Sequence, residues 1–210
     1  MIDVPAAKAA LSNIRNSMAE HREYLIELDA AFGDGDLGIT MVRAFEAADA
    51  AHSGSDETDI GRFFSRVGMT IAKEAPSTIG TLVATGFMRG GKAVAGTTRL
   101  DPHGVAGFFR AFADGIAERG KAEPGDKTVL DVFDPVATAV ERVVASGQGA
   151  GMPEVVAAAR DAAAEALENV KTMTAKHGRA GYYREQTVGK LDAGAAAGRI
   201  IVDGLVNNLG

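Results

Sequence analysis

Apolar residues recur at steps of three and four along almost the whole chain. Val4, Ala7, Leu11, Ile14 and Met18 mark one face of a first helix. Ile60, Phe63, Phe64, Val67 and Ile71 repeat the spacing. Between them, about His21 to Ala31 reads as a second helix, and the segment after Gly38 continues through Met41, Ala44, Phe45 and Ala48. Further helices are predicted near 78–95, 103–119, 127–146, 153–176 and 192–208. Glycine and proline punctuate them in the runs GSD at 54–56, EAPS at 74–77, EPGD at 123–126 and GMP at 151–153. Arg199-Ile200-Ile201-Val202 has a strand-like composition, but its alanine-rich lead-in favours helix. The expectation is an all-α fold, a single domain over 1–210 built of eight or nine antiparallel helices with short loops.

Composition refines this picture. Alanine is abundant, tryptophan is absent and aromatics make up 6% of residues, so the core should be fine-grained and the helices closely spaced. A chain of 210 residues buries enough surface to need no staples. With no cysteine, disulfides and thiolate metal sites are excluded, which suits the cytoplasm. The start of the chain reads as lacking a signal peptide, having no basic region followed by an apolar one. No apolar run reaches the roughly 18 residues of a membrane helix. Net charge is 22 − 28 = −6. No basic stripe is present, which argues against nucleic acid as a partner. An anionic ligand would need a metal or local positive groups to offset this acidity.

Three stretches are least helical and richest in glycine and charge: 32–38, 120–128 and 177–194. Loops carry function more often than core elements do. In the first, Asp29, Asp34 and Asp36 place three carboxylates within eight residues. Like charges this close repel, and a hard cation relieves the repulsion because carboxylate oxygens are its preferred ligands. Gly33 and Gly35 let the backbone curl so that the carboxylates converge. Two other motifs fail here. Gly33-x-Gly35-x-x-Gly38 has the form of a dinucleotide fingerprint, but that fingerprint follows a strand and presents bare amides. Asp34-x-Asp36 opens like a calcium loop, yet Ile39 and Phe45 stand where glycine and glutamate would be needed. The remaining alternative is a solvated Asp-Gly turn that caps the next helix.

In the second stretch, Asp126 reads as an N-cap with a helix starting at Lys127. Lys127 or Lys121 could meet phosphate, although a solvated lysine is the simpler reading of each. In the third, Arg179 could stack on a base or pair with phosphate. Asp192 reads as the cap of the final helix, and His177 as a surface residue rather than a catalyst.

Taken together, the acidic loop, the segment Gly120-Lys121-Ala122-Glu123-Pro124-Gly125-Asp126-Lys127-Thr128, and the ending with Gly178-Arg179-Ala180, Val188-Gly189 and Asp192-Ala193-Gly194 resemble a known family. It is the nucleotide-binding L subunit, or C-terminal domain, of dihydroxyacetone kinases, and the resemblance runs along essentially the whole chain. It implies a barrel of about eight antiparallel helices with ADP or ATP at one end. By resemblance, Asp29, Asp34 and Asp36 hold two magnesium ions that bridge the phosphates. Leu37, Gly38, Ile39 and Thr40 would lie along the phosphates, as would Thr78 and Ile79 at a helix start. Gly120 and Val129 would line the adenosine side. Arg179 would approach the nucleotide as the catalytic cation, and Asp192, Ala193 and Gly194 would close the site.

The resemblance also implies partners. The ketose would sit on a separate K subunit, and phosphate would come from ATP or from a phosphotransferase-system M subunit. A homodimer is compatible with it. A second reading is a nucleotide-binding adaptor that engages a transcription regulator or a phosphotransferase-system protein. The sequence departs from the family at three places. Leu37 replaces a histidine, Pro76-Ser77-Thr78-Ile79-Gly80 replaces a Gly-Gly-Ala-Ser-Gly segment, and Ala193 replaces a proline. Ser77 and Thr78 can still supply hydroxyls. These departures suggest a divergent branch whose sugar is another ketose, such as a tetrulose.

Overall fold

The computed structural model describes residues 1–147 and 151–207. Strand β1 (Ile2–Asp3) leads into α1 (Val4–Glu20), α2 (Arg22–Ala30), α3 (Leu37–His52), α4 (Ile60–Glu74) and α5 (Thr78–Ala93). Strand β2 (Arg99–Leu100) precedes α6 (Pro102–Gly120), α7 (Leu130–Ala145), α8 (Met152–Asn169) and α9 (Ala193–Val206). The apolar stripes read from the sequence are the buried faces. Val4, Ala7, Leu11, Ile14 and Met18 are buried on α1, and Ile60, Phe63, Phe64, Val67 and Ile71 on α4. The helices start where side-chain oxygens accept first-turn amides: Asp3 for α1, Asp59 for α4, Ser77 for α5, Asp101 for α6 and Asp192 for α9.

The helices close into a ring. From α3 to α9 each packs on its successor, α9 returns to α1, and α1 packs on α3. Eight helices make the ring, and the short α2 lies against α3. The strand-like stretch at 199–202 lies inside α9. Phenylalanines fill the interior despite the low aromatic content. Phe112 stacks on Phe133 at 4.2 Å between centroids and meets Phe87 edge-on at 5.1 Å. Small residues bring the walls close: a β-carbon at Gly86 would strike the Phe112 ring, and one at Gly68 would lie 2.7 Å from the Ala84 carbonyl.

Two helix boundaries differ from expectation, and one side chain explains both. α7 begins at Leu130, not Lys127, because Lys127 takes a left-handed φ of +61°. α8 stops at Asn169, and Val170–Thr172 forms a 3-10 turn. The Val170 and Met173 carbonyls there turn to the Lys127 ammonium, at 2.9 and 3.1 Å. Residue 208, the expected end of the last helix, lies outside the described residues. β1 and β2 pair antiparallel over two residues each, too short for an alternating pattern to reveal. No helix among the described residues is long and apolar enough to cross a membrane.

Candidate functional site

The ring alternates helix directions, so α3, α5, α7 and α9 all begin at the same end, where α2 finishes. Their ends and the segment from 177 to 194 surround a cleft of about 410 Å³.

One lip is the acidic loop. After α2 the Phe32 and Gly33 amides turn back onto the Asp29 carbonyl, at 3.2 and 2.6 Å. A β-carbon at Gly33 would strike the Asp29 carboxylate. Gly35 takes a φ of +74°, which glycine adopts at little cost. The result is that one carboxylate oxygen from each of Asp29, Asp34 and Asp36 lies within 4.8 Å of the others. Asp36 occupies the N-cap position of α3, yet its side chain makes no capping hydrogen bond. The capping alternative therefore fails for this residue. Burial, with Asp34 and Asp29 next to it, raises the Asp36 pKa. The Leu37 amide donates to Asp29 at 3.3 Å, and Arg179 reaches across to Asp34 at 2.6 Å. Three hard oxygen donors brought together in this way suit magnesium or calcium.

The back of the cleft is the start of α5. Ser77 Oγ accepts the Gly80 amide at 3.1 Å. The Thr78 and Ile79 amides are first-turn groups with no partner inside the helix, and both residues line the cleft. A helix start carries roughly half a positive charge and favours anions.

The opposite lip runs from 170 to 194. Thr128 donates its amide to Asp131 at 2.6 Å, and Asp131 also accepts the Gly125 amide at 2.5 Å. Asp126 is therefore not the cap of α7. It accepts the Glu123 amide at 2.8 Å and binds Lys176 and His177 at 2.7 and 2.8 Å. Burial alone would raise the Asp126 pKa, but those three partners outweigh it and hold it at about 2. His177 is thus half-buried and paired, not a free surface residue. Lys127 lines the cleft but is not solvated: it is 3% exposed, and its ammonium is taken up by four backbone carbonyls. Lys121 caps α6 outside the cleft. Asp192 caps α9 through the Ala195 amide at 2.7 Å, as expected. Burial pushes its carboxyl up to about 6, against the pull of Lys127 and of the α9 amides.

Of the residues expected here, Asp29, Asp34, Asp36, Leu37, Thr78, Ile79, Val129, Arg179, Asp192, Ala193 and Gly194 line the cleft. Gly38, Ile39, Thr40 and Gly120 do not. Gly38 faces α2, where a β-carbon would strike the Arg22 carbonyl. Ile39 is 47% exposed, and Thr40 is buried on α3. Gly120 stands behind Leu82, which lines the cleft in its place. Sequence reasoning does not find Phe32, Leu82, Thr128 or Leu191. An aromatic residue inside an Asp-Gly loop is the available signal for Phe32, whose ring lies 5.2 Å from that of Tyr183.

Comparison with known proteins identifies the family. A family model described as the DAK2 domain matches residues 31–207. The ADP-binding subunit of the PEP-dependent dihydroxyacetone kinase of Escherichia coli is 36% identical over 175 residues, covering 83% of this chain and 82% of that one. A D-erythrulose kinase of Mycolicibacterium smegmatis is 34% identical over 190 residues, 90% of this chain but 32% of that longer protein. The crystal structure of the C. freundii dihydroxyacetone kinase in complex with AMP-PNP and Mg2+ shares the fold. Its TM-score is 0.72 at 19% identity, over 95% of this chain and 33% of that one. With the match over residues 31–207 and the identity to full-length relatives, the chain belongs to the DAK2-domain family.

Proposed function

We propose that this chain is a nucleotide-binding domain over 1–210, the ADP- or ATP-binding subunit of a ketose kinase. The observation that carries the reading is the convergence of Asp29, Asp34 and Asp36 on a cleft whose back is the amide-bearing start of α5. Carboxylates alone would repel a phosphate. Carboxylates facing unpartnered amides suit a phosphate that arrives with its own divalent cations. Oxygens within 4.8 Å of one another are close enough to share bound divalent cations, of which we propose two. Such ions would supply charge neutralisation across the phosphates.

The chain's own residues do the positioning, which is most of what phosphoryl transfer requires. Asp29, Asp34 and Asp36 hold the metal. The Thr78 and Ile79 amides and the Ser77 hydroxyl receive phosphate oxygens. Arg179, whose side chain is 65% exposed, adds a positive charge. Val129, Leu82 and Ile79 offer an apolar surface to the base, and the Asp192-Ala193-Gly194 turn closes the floor. Leu37 presents a buried apolar side chain beside the cluster, so it keeps water out and adds no phosphate contact. Gly38 and Thr40 seat α3 against its neighbours, with Gly38 facing α2, and Ile39 faces solvent.

The acceptor is dihydroxyacetone or a tetrulose carried on a separate K subunit, in keeping with relatives named as dihydroxyacetone and erythrulose kinases. The phosphate comes from exchanging ATP, or from a phosphotransferase-system M subunit that recharges resident ADP. Heating the purified protein with ADP, with and without magnesium, tests the binding reading. A ligand that binds only the folded state raises Tm by mass action, and no magnesium-dependent rise would end the proposal. Mass analysis of co-purified nucleotide, followed by transfer assays with each donor and the K subunit, separates the two donors.

A further inference from the structure

Lys127 is the only lysine or arginine buried among the described residues. Its ammonium donates to the carbonyls of Val170 (2.9 Å), Met173 (3.1 Å), Thr187 (2.8 Å) and Lys190 (2.8 Å). An ammonium has three N–H groups, so four acceptors saturate it. No carboxylate is among them. A cage of neutral carbonyl oxygens around one cation is how proteins hold a bound metal ion, and here a side chain provides the cation.

The four carbonyls come from both ends of one segment, 170–190, whose middle carries His177 and Arg179 into the cleft. Little apolar burial holds that segment. It consists of three short 3-10 turns joined by irregular backbone, and Tyr182, Tyr183 and Val188 are exposed. The backbone at Lys127 has a φ of +61°, a conformation disfavoured for any residue with a β-carbon. Strain of this kind persists where the surroundings over-determine it.

We propose that the Lys127 ammonium is the fixed internal cation around which the 170–190 wall of the cleft folds, making Lys127 a positioning residue for Arg179 and His177. The consequence for nucleotide rests on the function proposed above. The fold of the wall does not.

The test uses two substitutions in the full chain. Lys127→Gly removes the ammonium and at the same time relieves the backbone, since glycine adopts this φ freely. Lys127→Met keeps the length and removes the charge. Hydrogen exchange is followed without nucleotide. Amides in 171–190 should exchange at least tenfold faster in both variants, while those of α4–α6 keep their wild-type rates. Adding ammonium or methylammonium chloride should restore protection in Lys127→Gly. With magnesium and ADP, the dissociation constant should rise at least tenfold and fall again on that addition.

Wild-type exchange across 171–190 in both variants overturns the proposal. Equal loss of protection in α4–α6 overturns it too, because the lysine would then hold the whole ring and not this wall. A local loss that ammonium leaves unrepaired shows that the methylenes matter and the charge does not, which also overturns it. If the wild type itself binds no ADP, the functional reading fails, and the exchange data still decide the role of Lys127.

Discussion

The two lips of the cleft both gather oxygen atoms, and they differ in where the balancing charge comes from. On the 29–36 side three carboxylates converge with only an exposed arginine from across the cleft to answer them. On the 170–190 side four carbonyls converge on a buried lysine. The second lip is complete within the chain. On the function proposed above, the first would be completed by a cation from outside. One side would then be organised by folding and the other by ligand, with nucleotide clasped between them.

The largest expected effect breaks the ligand-organised lip. Asp34→Asn removes one carboxylate from the cluster and the partner of Arg179. Losing even an outer-shell partner of a metal site lowers affinity about 10–100-fold, so losing a direct ligand should weaken magnesium-dependent ADP binding by at least about 100-fold. Titration calorimetry with and without magnesium reads this directly. Phosphate transfer in the reconstituted system should vanish with it, and unaltered turnover would remove Asp34 from the metal site.

That difference between the lips also separates what could be read in the sequence from what could not. Three aspartates among glycines mark a candidate cation site in the sequence, because nothing nearby in the chain neutralises them. The helical stripes of α1 and α4 were equally legible, since a period of three and four is a local property. The buried lysine was not. Lys127 follows Asp126 and precedes Thr-Val-Leu, which locally reads as a cap and a helix start. Its true environment is set by carbonyls more than forty residues away in sequence. The same long-range bonds turn the chain out of α8 after Asn169, where alanine-rich sequence alone predicts more helix. Ring closure of α9 onto α1 is hidden for the same reason. Within the site, the family resemblance points to Gly38, Ile39, Thr40 and Gly120 for a cleft they do not line, because resemblance carries a segment and not the placement of each residue within it.

The next effect crosses from one lip to the other. Arg179→Ala removes the guanidinium that pairs with Asp34. Both partners are substantially exposed, 65% and 40%, so stability of the nucleotide-free protein should hardly change. A hydrogen bond to a charged group contributes about 1.5–3 kcal/mol, and solvent on this loop favours the lower end. ADP should therefore bind roughly tenfold more weakly, with magnesium still required. Arg179→Lys should recover part of the loss. A variant that binds like the wild type would leave Asp34 as the sole partner of Arg179.

A smaller effect falls on the back of the cleft. Ser77→Ala removes the oxygen that accepts the Gly80 amide. Loss of such a cap typically costs about 1 kcal/mol. For a chain of this size that lowers Tm by about 2–4 °C. An unchanged Tm would show that the start of α5 is held by packing instead.

The smallest effect concerns two aspartates on the folding-organised lip whose pKa values move in opposite directions. Asp126 sits at about 2 in the folded protein, against about 3.9 in an unfolded chain. Its contribution to stability is full above about pH 4 and is lost as pH falls toward 2. Asp192 sits at about 6, so the folded state holds its proton more tightly than the unfolded state does. Here stability is greatest below about pH 4 and declines as pH rises through 6. Asparagine caps a helix as well as aspartate does, so Asp192→Asn keeps the start of α9 and removes only the charge. In nucleotide-free protein, the Tm deficit of Asp126→Asn should shrink from pH 5 to pH 2. The Tm of Asp192→Asn should gain on the wild type from pH 4 to pH 7. Parallel curves for both variants would mean that neither carboxylate feels the wall differently from solvent. The charges of this lip would then not be balanced within the fold.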